Sequence, residues 1–377
     1  MPLPKEGPDW DALVKRWSET ESPVEREELG KQYGYSSVAS FDKRFQERGI
    51  GRPKLEVGAP TPVNEAQPER NPVVNLPPVN LLRFKARRAK RKGDEEIAIL
   101  HASDGHADKI TQSYNKDIYK DRMGKMFEAA MTIVNLHRNI YPIRKLVILN
   151  TGDNIQGENP HQGSKAGEIS MGVRDQVEKL AAPMWNDVIG SFGQNFAEVE
   201  FHGVPGNHGY DQLSAETSRY DLVLYDVLNA GIGKHKGIQI NVHEDWYALV
   251  RLWDFLFFLF HGDGIPCQQG VPFFALDKKL KSWYMQFGPF NYACGGHFHK
   301  RHNDEISSKL EYLMAASLTS DDAWVQKKLG ISSNPSQNMY GLHPEQGITW
   351  RYALQVDPKF LPDKFPAPES KVELEEV

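Results

Sequence analysis

The chain has 377 residues, 40% of them hydrophobic and 25% charged, with a net charge of −5 and only two cysteines, Cys267 and Cys294. That length holds about two to three domain-sized units and can bury a sizeable core, so whole-chain disorder and a small disulfide scaffold are excluded. The longest apolar run, Phe255 to Phe260, is far short of a membrane span, and MPLPKEGPDW shows no basic-then-apolar leader, so the expectation is a cytoplasmic protein with no membrane partner.

Residues 9–50 read as helical. Trp10, Leu13, Val14 and Trp17 recur at helical spacing. Ser22-Pro23 opens a second helix, and Gly34 marks a turn. Ser36-Ser37 caps a third helix with Val38, Phe41 and Phe45 on one side and Lys43, Arg44 and Arg48 outward. The stretch REELGKQYGYSSVASFDKRFQERG resembles a helix-turn-helix, in which a cationic second helix docks in the major groove. Residues 1–52 are therefore expected to form a small all-helical domain that touches nucleic acid through Lys43, Arg44 and Arg48. A helical bundle that contacts protein is the other reading.

Residues 53–93 read as a linker. Prolines at 53, 60, 62, 68, 72, 77 and 78 favour extended chain. Arg83, Lys85, Arg87, Arg88, Lys90, Arg91 and Lys92 follow with no acid between them. Residues 1–92 carry 18 Lys and Arg against 13 Asp and Glu, net +5, whereas the remainder carries 27 against 37, net −10. A basic arm on an acidic body suggests a polyanion partner, with Arg83, Arg87, Arg88, Lys90 and Arg91 as contacts. A solubilising linker is the plainer alternative.

Residues 94–357 change character. Apolar runs that end in polar residues alternate with helical segments. The expected strands are Ile97–His101, Leu146–Thr151, Val199–Val204, Phe255–His261 and Tyr292–Gly295, with further strands near Leu310–Ala315 and Thr349–Val356. The expected helices are Asp117–Asn139, Glu168–Phe192, Ala215–Asn229 and Phe274–Phe287. Strands separated by helices indicate an α/β domain with largely buried sheets. Residues 358–377 read as a loose acidic tail.

Five polar clusters stand at the carboxyl ends of five of these strands: Asp104-Gly105-His106, Gly152-Asp153-Asn154, Gly206-Asn207-His208, His261-Gly262-Asp263 and Gly296-His297-Phe298-His299. Ligand sites in open α/β sheets lie beyond such ends. Each cluster alone is an ordinary turn signal; all five in order, each after an apolar run, are not. On an extended segment, His297 and His299 would project the same way and suit adjacent metals.

The order D-x-H, G-D, G-N-H, H, G-H-x-H over residues 95–320 resembles the calcineurin-like metallophosphoesterases. The resemblance implies a four-layer α/β/β/α sandwich, two mixed sheets face to face with helices outside, and two metal ions at one edge. It implies that Asp104, His106 and His299 bind one ion, that Asp153 bridges both, and that Asn207, His261 and His297 complete the second. His208 would stand near the leaving oxygen without binding metal. A carboxylate can span two cations about 3.5–4 Å apart, and mixed imidazole, carboxylate and amide donors suit Mn, Fe, Zn or Ni. Resemblance to the DNA-repair nuclease branch favours Mn²⁺. Many members of that branch carry an acid directly after Gly-Asn-His; here Gly209 and Tyr210 precede Asp211, the candidate partner of His208. The glycine-rich insertion at 154–172 should lie over the site, with His161, Lys165 and Arg174 as candidate phosphate contacts.

The expectation is a two-metal phosphoesterase that cuts phosphodiester bonds, most simply a DNA nuclease, with a metal-bridging hydroxide as nucleophile and His208 as acid or donor. A phosphomonoesterase or small-nucleotide phosphodiesterase is the enzymatic alternative. A DNA-binding regulatory protein with a retained phosphoesterase body is the alternative of another class.

Overall fold

The computed structural model describes residues 80, 95–158, 166–210, 219–266, 272–320 and 334–357. The expected helix-turn-helix segment, the linker with its basic run (residue 80 apart) and the acidic tail lie outside the described residues.

Among the described residues, eleven strands form two sheets. They are β1 (Ile97–Ala102), β2 (Lys145–Asn150), β3 (Glu198–Gly203), β4 (Ile238–Val242), β5 (Tyr247–Leu252), β6 (Phe255–Phe260), β7 (Tyr292–Gly295), β8 (His302–Ser307), β9 (Leu310–Met314), β10 (Ser336–His343) and β11 (Gly347–Gln355). The first sheet runs β11-β10-β1-β2-β3-β4 and the second β5-β6-β7-β9-β8. β1 to β4 are mutually parallel, as are β6, β7 and β9, while β10, β11, β5 and β8 run antiparallel to their neighbours.

Alternation along the strands builds three cores. In β1, Ile97 and Ile99 face the second sheet, whereas Ala98, Leu100 and Ala102 face helices. In β6, Phe257 and Leu259 point between the sheets, whereas Phe258 and Phe260 point outward to another helix. Successive side chains of a strand leave on opposite faces, so a strand apolar at every position must be covered twice. The result is a four-layer α/β/β/α sandwich. Helices α1 (Lys116–His137), α2 (Ala182–Gly193) and α3 (Tyr220–Ala230) cover the first sheet, and α4 (Phe273–Phe287) covers the second.

Local chemistry sets the helix ends. Asn115 caps α1, its side-chain oxygen accepting from the amides of Asp117 (2.9 Å) and Ile118 (3.1 Å). The helix expected from Glu168 begins later. Val173–Asp175 is its first turn, and a π-helical segment, Gln176–Ala181, leads into α2. Pro183 lies just beyond; it lacks an N–H and crowds the preceding turn, which the wider π turn accommodates. β4, β5, β8 and β10 are strands beyond those expected. β4, β5 and β8 are edge strands, and β8 is largely exposed and polar. β10 is buried throughout despite the polar run Ser336-Gln337-Asn338.

Those buried polar groups bond the backbone around them, Asn338 Nδ2 donating to Met314 O of β9 (3.0 Å). Gln337 accepts from the Ser103 amide (2.8 Å) and donates to the Ser103 carbonyl (2.9 Å). Arg122, buried on α1, donates to the Leu318 carbonyl (2.6 Å), the Ser320 hydroxyl (3.0 Å) and the Asp357 carboxylate (2.7 Å). Phe257 is fully buried between the sheets. Phe257→Ala is therefore expected to lower unfolding free energy by about 3–5 kcal/mol in chemical denaturation.

Candidate metal centre

Five loops carry the expected ligands, and each follows one of the parallel strands. Asp104 and His106 follow β1, Asp153 follows β2, Asn207 follows β3, His261 follows β6, and His297 and His299 follow β7. The first two loops are zipped together: Asp104 N donates to Gly152 O (3.0 Å) and His106 N to Asp153 O (2.9 Å).

The side chains gather into two touching clusters. In the first, His106 Nε2 lies 2.9 Å from His299 Nε2, and Asp104 Oδ1 lies 3.7 Å from His106 Nε2 and 3.3 Å from His299 Nε2. In the second, His261 Nε2 lies 3.0 Å from Asp153 Oδ2, 3.0 Å from Asn207 Oδ1 and 3.3 Å from His297 Nδ1. Asp104, His106 and His299 have ligating atoms within 4.8 Å of one another, as do Asp153, His261 and His297, and as do His106, Asp153 and His208. The third group joins the other two. It also places His208 within ligand range of both shared residues, so proximity alone does not separate it from the ligand set.

Backbone strain is concentrated here. Among the described residues, seven non-glycines have positive φ, and five of them are Asp104 (52°), His106 (44°), Asp153 (55°), His297 (70°) and His299 (53°). Each such residue costs about 1–3 kcal/mol and persists only where its surroundings over-determine it. The extended geometry expected for His297-Phe298-His299 is thus corrected. β7 ends at Gly295, and both histidines lie in left-handed bends around a buried Phe298. The bends send His297 to one cluster and His299 to the other.

Two glycines leave room for the carboxylates. A Cβ on Gly206 would stand 2.1 Å from Asp153 Oδ1, and one on Gly296 would stand 2.4 Å from Asp104 Oδ2. Main-chain amides then hold those carboxylates: His208 N donates to Asp153 Oδ1 (2.7 Å) and His297 N to Asp104 Oδ2 (3.0 Å).

Hydrogen bonds also fix two rings. His261 Nδ1 donates to Thr151 O (2.7 Å), and His208 Nδ1 donates to Gln156 O (3.0 Å). A carbonyl only accepts, so the proton sits on Nδ1 and Nε2 faces the site in each case. Burial opposes charge on Asp104, but His106 and His299 hold its carboxyl well below the usual range. Burial likewise opposes charge on Asp153, and the imidazoles of His261 and His208 hold it far below. His261 is pushed up to about 10, the Asp153 carboxylate outweighing burial. Burial and the charge on His261 push His297 down to about 4. Burial drives His208 well below the ordinary imidazole value, against the pull of Asp153.

These donors fit divalent cations. Asp153 Oδ2 is buried and accepts no hydrogen bond, although His261 Nε2 is 3.0 Å away. Of the facing nitrogens of His106 and His299, only one can donate to the other. Imidazole, carboxylate and amide lone pairs therefore converge on shared points, as borderline transition metals require.

Sequence reasoning missed the residues behind the ligands. Asp221, buried in the first turn of α3, accepts from the amides of Asp153 (3.0 Å), Asn154 (3.0 Å) and Gly206 (2.9 Å). The Asn154 side chain joins Asp221, Asn150, Tyr225 and Trp185 in one buried network. An acid in the first turn of an amphipathic helix reads as a solvated charge, so no local signal marks Asp221.

Asp211, the candidate partner of His208, lies outside the described residues, as do Lys43, Arg44, Arg48, Arg83, Arg87, Arg88, Lys90, Arg91, His161 and Lys165. Arg174 is exposed and bonded to Glu178 (3.0 Å). The base of the insertion is pinned: Asp108 accepts from Ser170 N (2.7 Å) and Met171 N (2.6 Å), and Gln176 bonds Gly157 N (2.9 Å) and Met171 O (2.9 Å).

No protein-family model and no curated protein matches this chain. Solved structures align with it at low similarity. A predicted phosphoesterase from Streptococcus pneumoniae is 10% identical, with 69% of this chain and 99% of that one covered and a TM-score of 0.31. YfcE, a phosphoesterase from E. coli, is 12% identical, with 68% and 100% covered and a TM-score of 0.31. Vps29 complexed with zinc from Entamoeba histolytica is 14% identical, with 68% and 99% covered and a TM-score of 0.30.

Gly206→Ala should displace the Asp153 carboxylate. Titration calorimetry with Mn²⁺ is expected to show affinity weakened by about 10–100-fold.

Proposed function

We propose that this chain is a metal-dependent phosphoesterase that hydrolyses phosphodiester bonds in nucleic acid, most simply DNA. One observation carries the hydrolytic reading: seven metal-competent side chains from five loops converge on two adjoining points, with His208 beside both. Asp104, His106 and His299 would hold one cation and Asn207, His261 and His297 the other, with Asp153 between them. Mn²⁺ is the favoured ion. Bound there, the pair supplies Lewis-acid activation of water and neutralises charge on a phosphoryl oxygen.

The chain's own residues do the rest. Asp153 is kept ionised by its imidazole neighbours and is fixed by the His208 amide. The His208 ring packs edge-on against His106, with centroids 4.3 Å apart, and its Nε2 lies 3.9 Å from Asp153 Oδ2. With Nδ1–H committed to Gln156, Nε2 is the atom that can exchange a proton. An anionic phosphate beside it favours the protonated ring, which can then donate to the leaving oxygen.

Support for a nucleic-acid substrate comes from the sequence: the helix-turn-helix-like stretch and the seven cations between Arg83 and Lys92. The net −10 of residues 93–377 favours a second reading, a phosphomonoesterase or small-nucleotide phosphodiesterase that avoids long polyanions.

The test is a substrate panel run with metal-stripped protein reloaded with Mn²⁺, Zn²⁺, Ni²⁺ or Mg²⁺. Single- and double-stranded DNA should be cut in Mn²⁺. Turnover of p-nitrophenyl phosphate alone would select the second reading, and no turnover with ions bound would reject both. His208→Ala should lower kcat by about 10²–10⁴-fold with bound metal unchanged by elemental analysis. Replacing Arg83, Arg87, Arg88, Lys90 and Arg91 with Gln should flatten the log–log salt dependence of DNA affinity, by about 0.9 for each phosphate that is no longer neutralised.

A further inference from the structure

Asp153 and Asn207 belong to different loops, after β2 and β3, yet both must reach the same point for the second cluster to exist. Asp221 ties these loops together. Its Oδ2 accepts from Asp153 N (3.0 Å) and from Gly206 N (2.9 Å), the residue directly before Asn207. Its Oδ1 accepts from Asn154 N (3.0 Å) and Asn154 Nδ2 (2.8 Å). The carboxylate is 1% exposed.

This is not helix capping. Asp221 sits in the first turn of α3, yet all four of these bonds reach the loops after β2 and β3 rather than the amides of its own helix. It also fixes the amide of Asp153, a residue held at a φ of 55° that needs such support. The first cluster has a further anchor: the Asp104 carbonyl accepts from Ser317 Oγ (2.8 Å) and Leu318 N (3.1 Å), besides the bonds from Asp104 N to Gly152 O (3.0 Å) and from His106 N to Asp153 O (2.9 Å) that tie it to the loop Asp221 holds.

We propose that Asp221 is the positioning residue of the second metal site, setting the separation of Asp153 and Asn207, and that it reaches the Asp104–His106–His299 site only through the loop that carries the shared Asp153. The proposal rests on the metal-centre reading above. It requires a carboxylate specifically. An asparagine keeps an acceptor for only one of the two donor pairs, Asp153 N with Gly206 N or Asn154 N with Asn154 Nδ2, and sets its own NH2 against the other.

The experiment measures metal alone. Metal-stripped full-length protein is titrated with Mn²⁺ by calorimetry, and bound ions per chain are counted by elemental analysis after dialysis. Wild type is expected to bind two ions. Asp221→Asn is expected to bind its weaker ion about 10–100-fold less tightly, with a smaller loss for the ion held by Asp104, His106 and His299. Asp221→Ser, which keeps one small acceptor, should behave alike and serves if the asparagine variant folds poorly. Tyr225→Phe is the control: it removes a buried hydroxyl from the same helix and network, which donates to Asn150 Oδ1 (2.7 Å) and Val204 O (3.0 Å) and accepts from Asn154 Nδ2 (3.0 Å), while the Asp221 carboxylate and its four donors remain. It should keep both ions. Two ions at unchanged affinity in the Asp221 variants overturn the proposal, as does loss of an ion in Tyr225→Phe. Fewer than two ions in wild type overturns the metal-centre reading itself.

Discussion

Three carboxylates buried at one rim of the sandwich, Asp104, Asp153 and Asp221, govern how the surrounding chain folds. Removing an ionised carboxylate from water costs several kcal/mol unless partners replace the lost hydration. Here each has partners of a different kind. Asp104 takes the His297 amide and two imidazoles. Asp153 takes the His208 amide and the His261 ring. Asp221 takes main-chain amides from two loops. Those demands dictate the glycines at 206 and 296, where any Cβ would intrude on a carboxylate.

The same demands explain the strain. Five left-handed residues at about 1–3 kcal/mol each are tolerated only on a rigid base. The base is the pair of clamped sheets, reinforced from behind. Gln337 on β10 grips the residue before Asp104, and Arg122 on α1 grips the loop whose Ser317 and Leu318 grip Asp104 in turn. Hydrogen bonds within the fold thus fix the Asp104 and Asp153 carboxylates, and fixed donors of this kind lower the ordering cost of binding.

Much of this was legible in the linear chain. Strands apolar at every position announced a sheet covered on both faces, and Phe255–Phe260 bears that out, splitting its side chains between two cores. Glycine beside aspartate, asparagine or histidine after each such run marked the rim. Edge strands were harder. β8 reads His302-Asn303-Asp304-Glu305, with no apolar face to betray it. β10 hid for the opposite reason: its Gln337 and Asn338 look solvent-facing but are buried against the backbone of Ser103 and Met314. Asp221 was invisible because its partners are the amides of Asp153, Asn154 and Gly206, more than a dozen residues away along the chain.

The amino-acid sequence by itself determined the α/β character, the buried sheets and the identity of the donor side chains, because periodicity and residue chemistry are local properties; the four layers were implied only by the family resemblance. The resemblance implied which donors share a cluster, and the tertiary structure brings them together in those groups and decides which way the His208 and His261 rings face. The tertiary structure alone brought in Asp221, Gln337 and Arg122 as supports. Those outcomes depend on distances between loops that no local pattern encodes, set by how two twisted sheets pack and by where buried amides and carboxylates can satisfy one another.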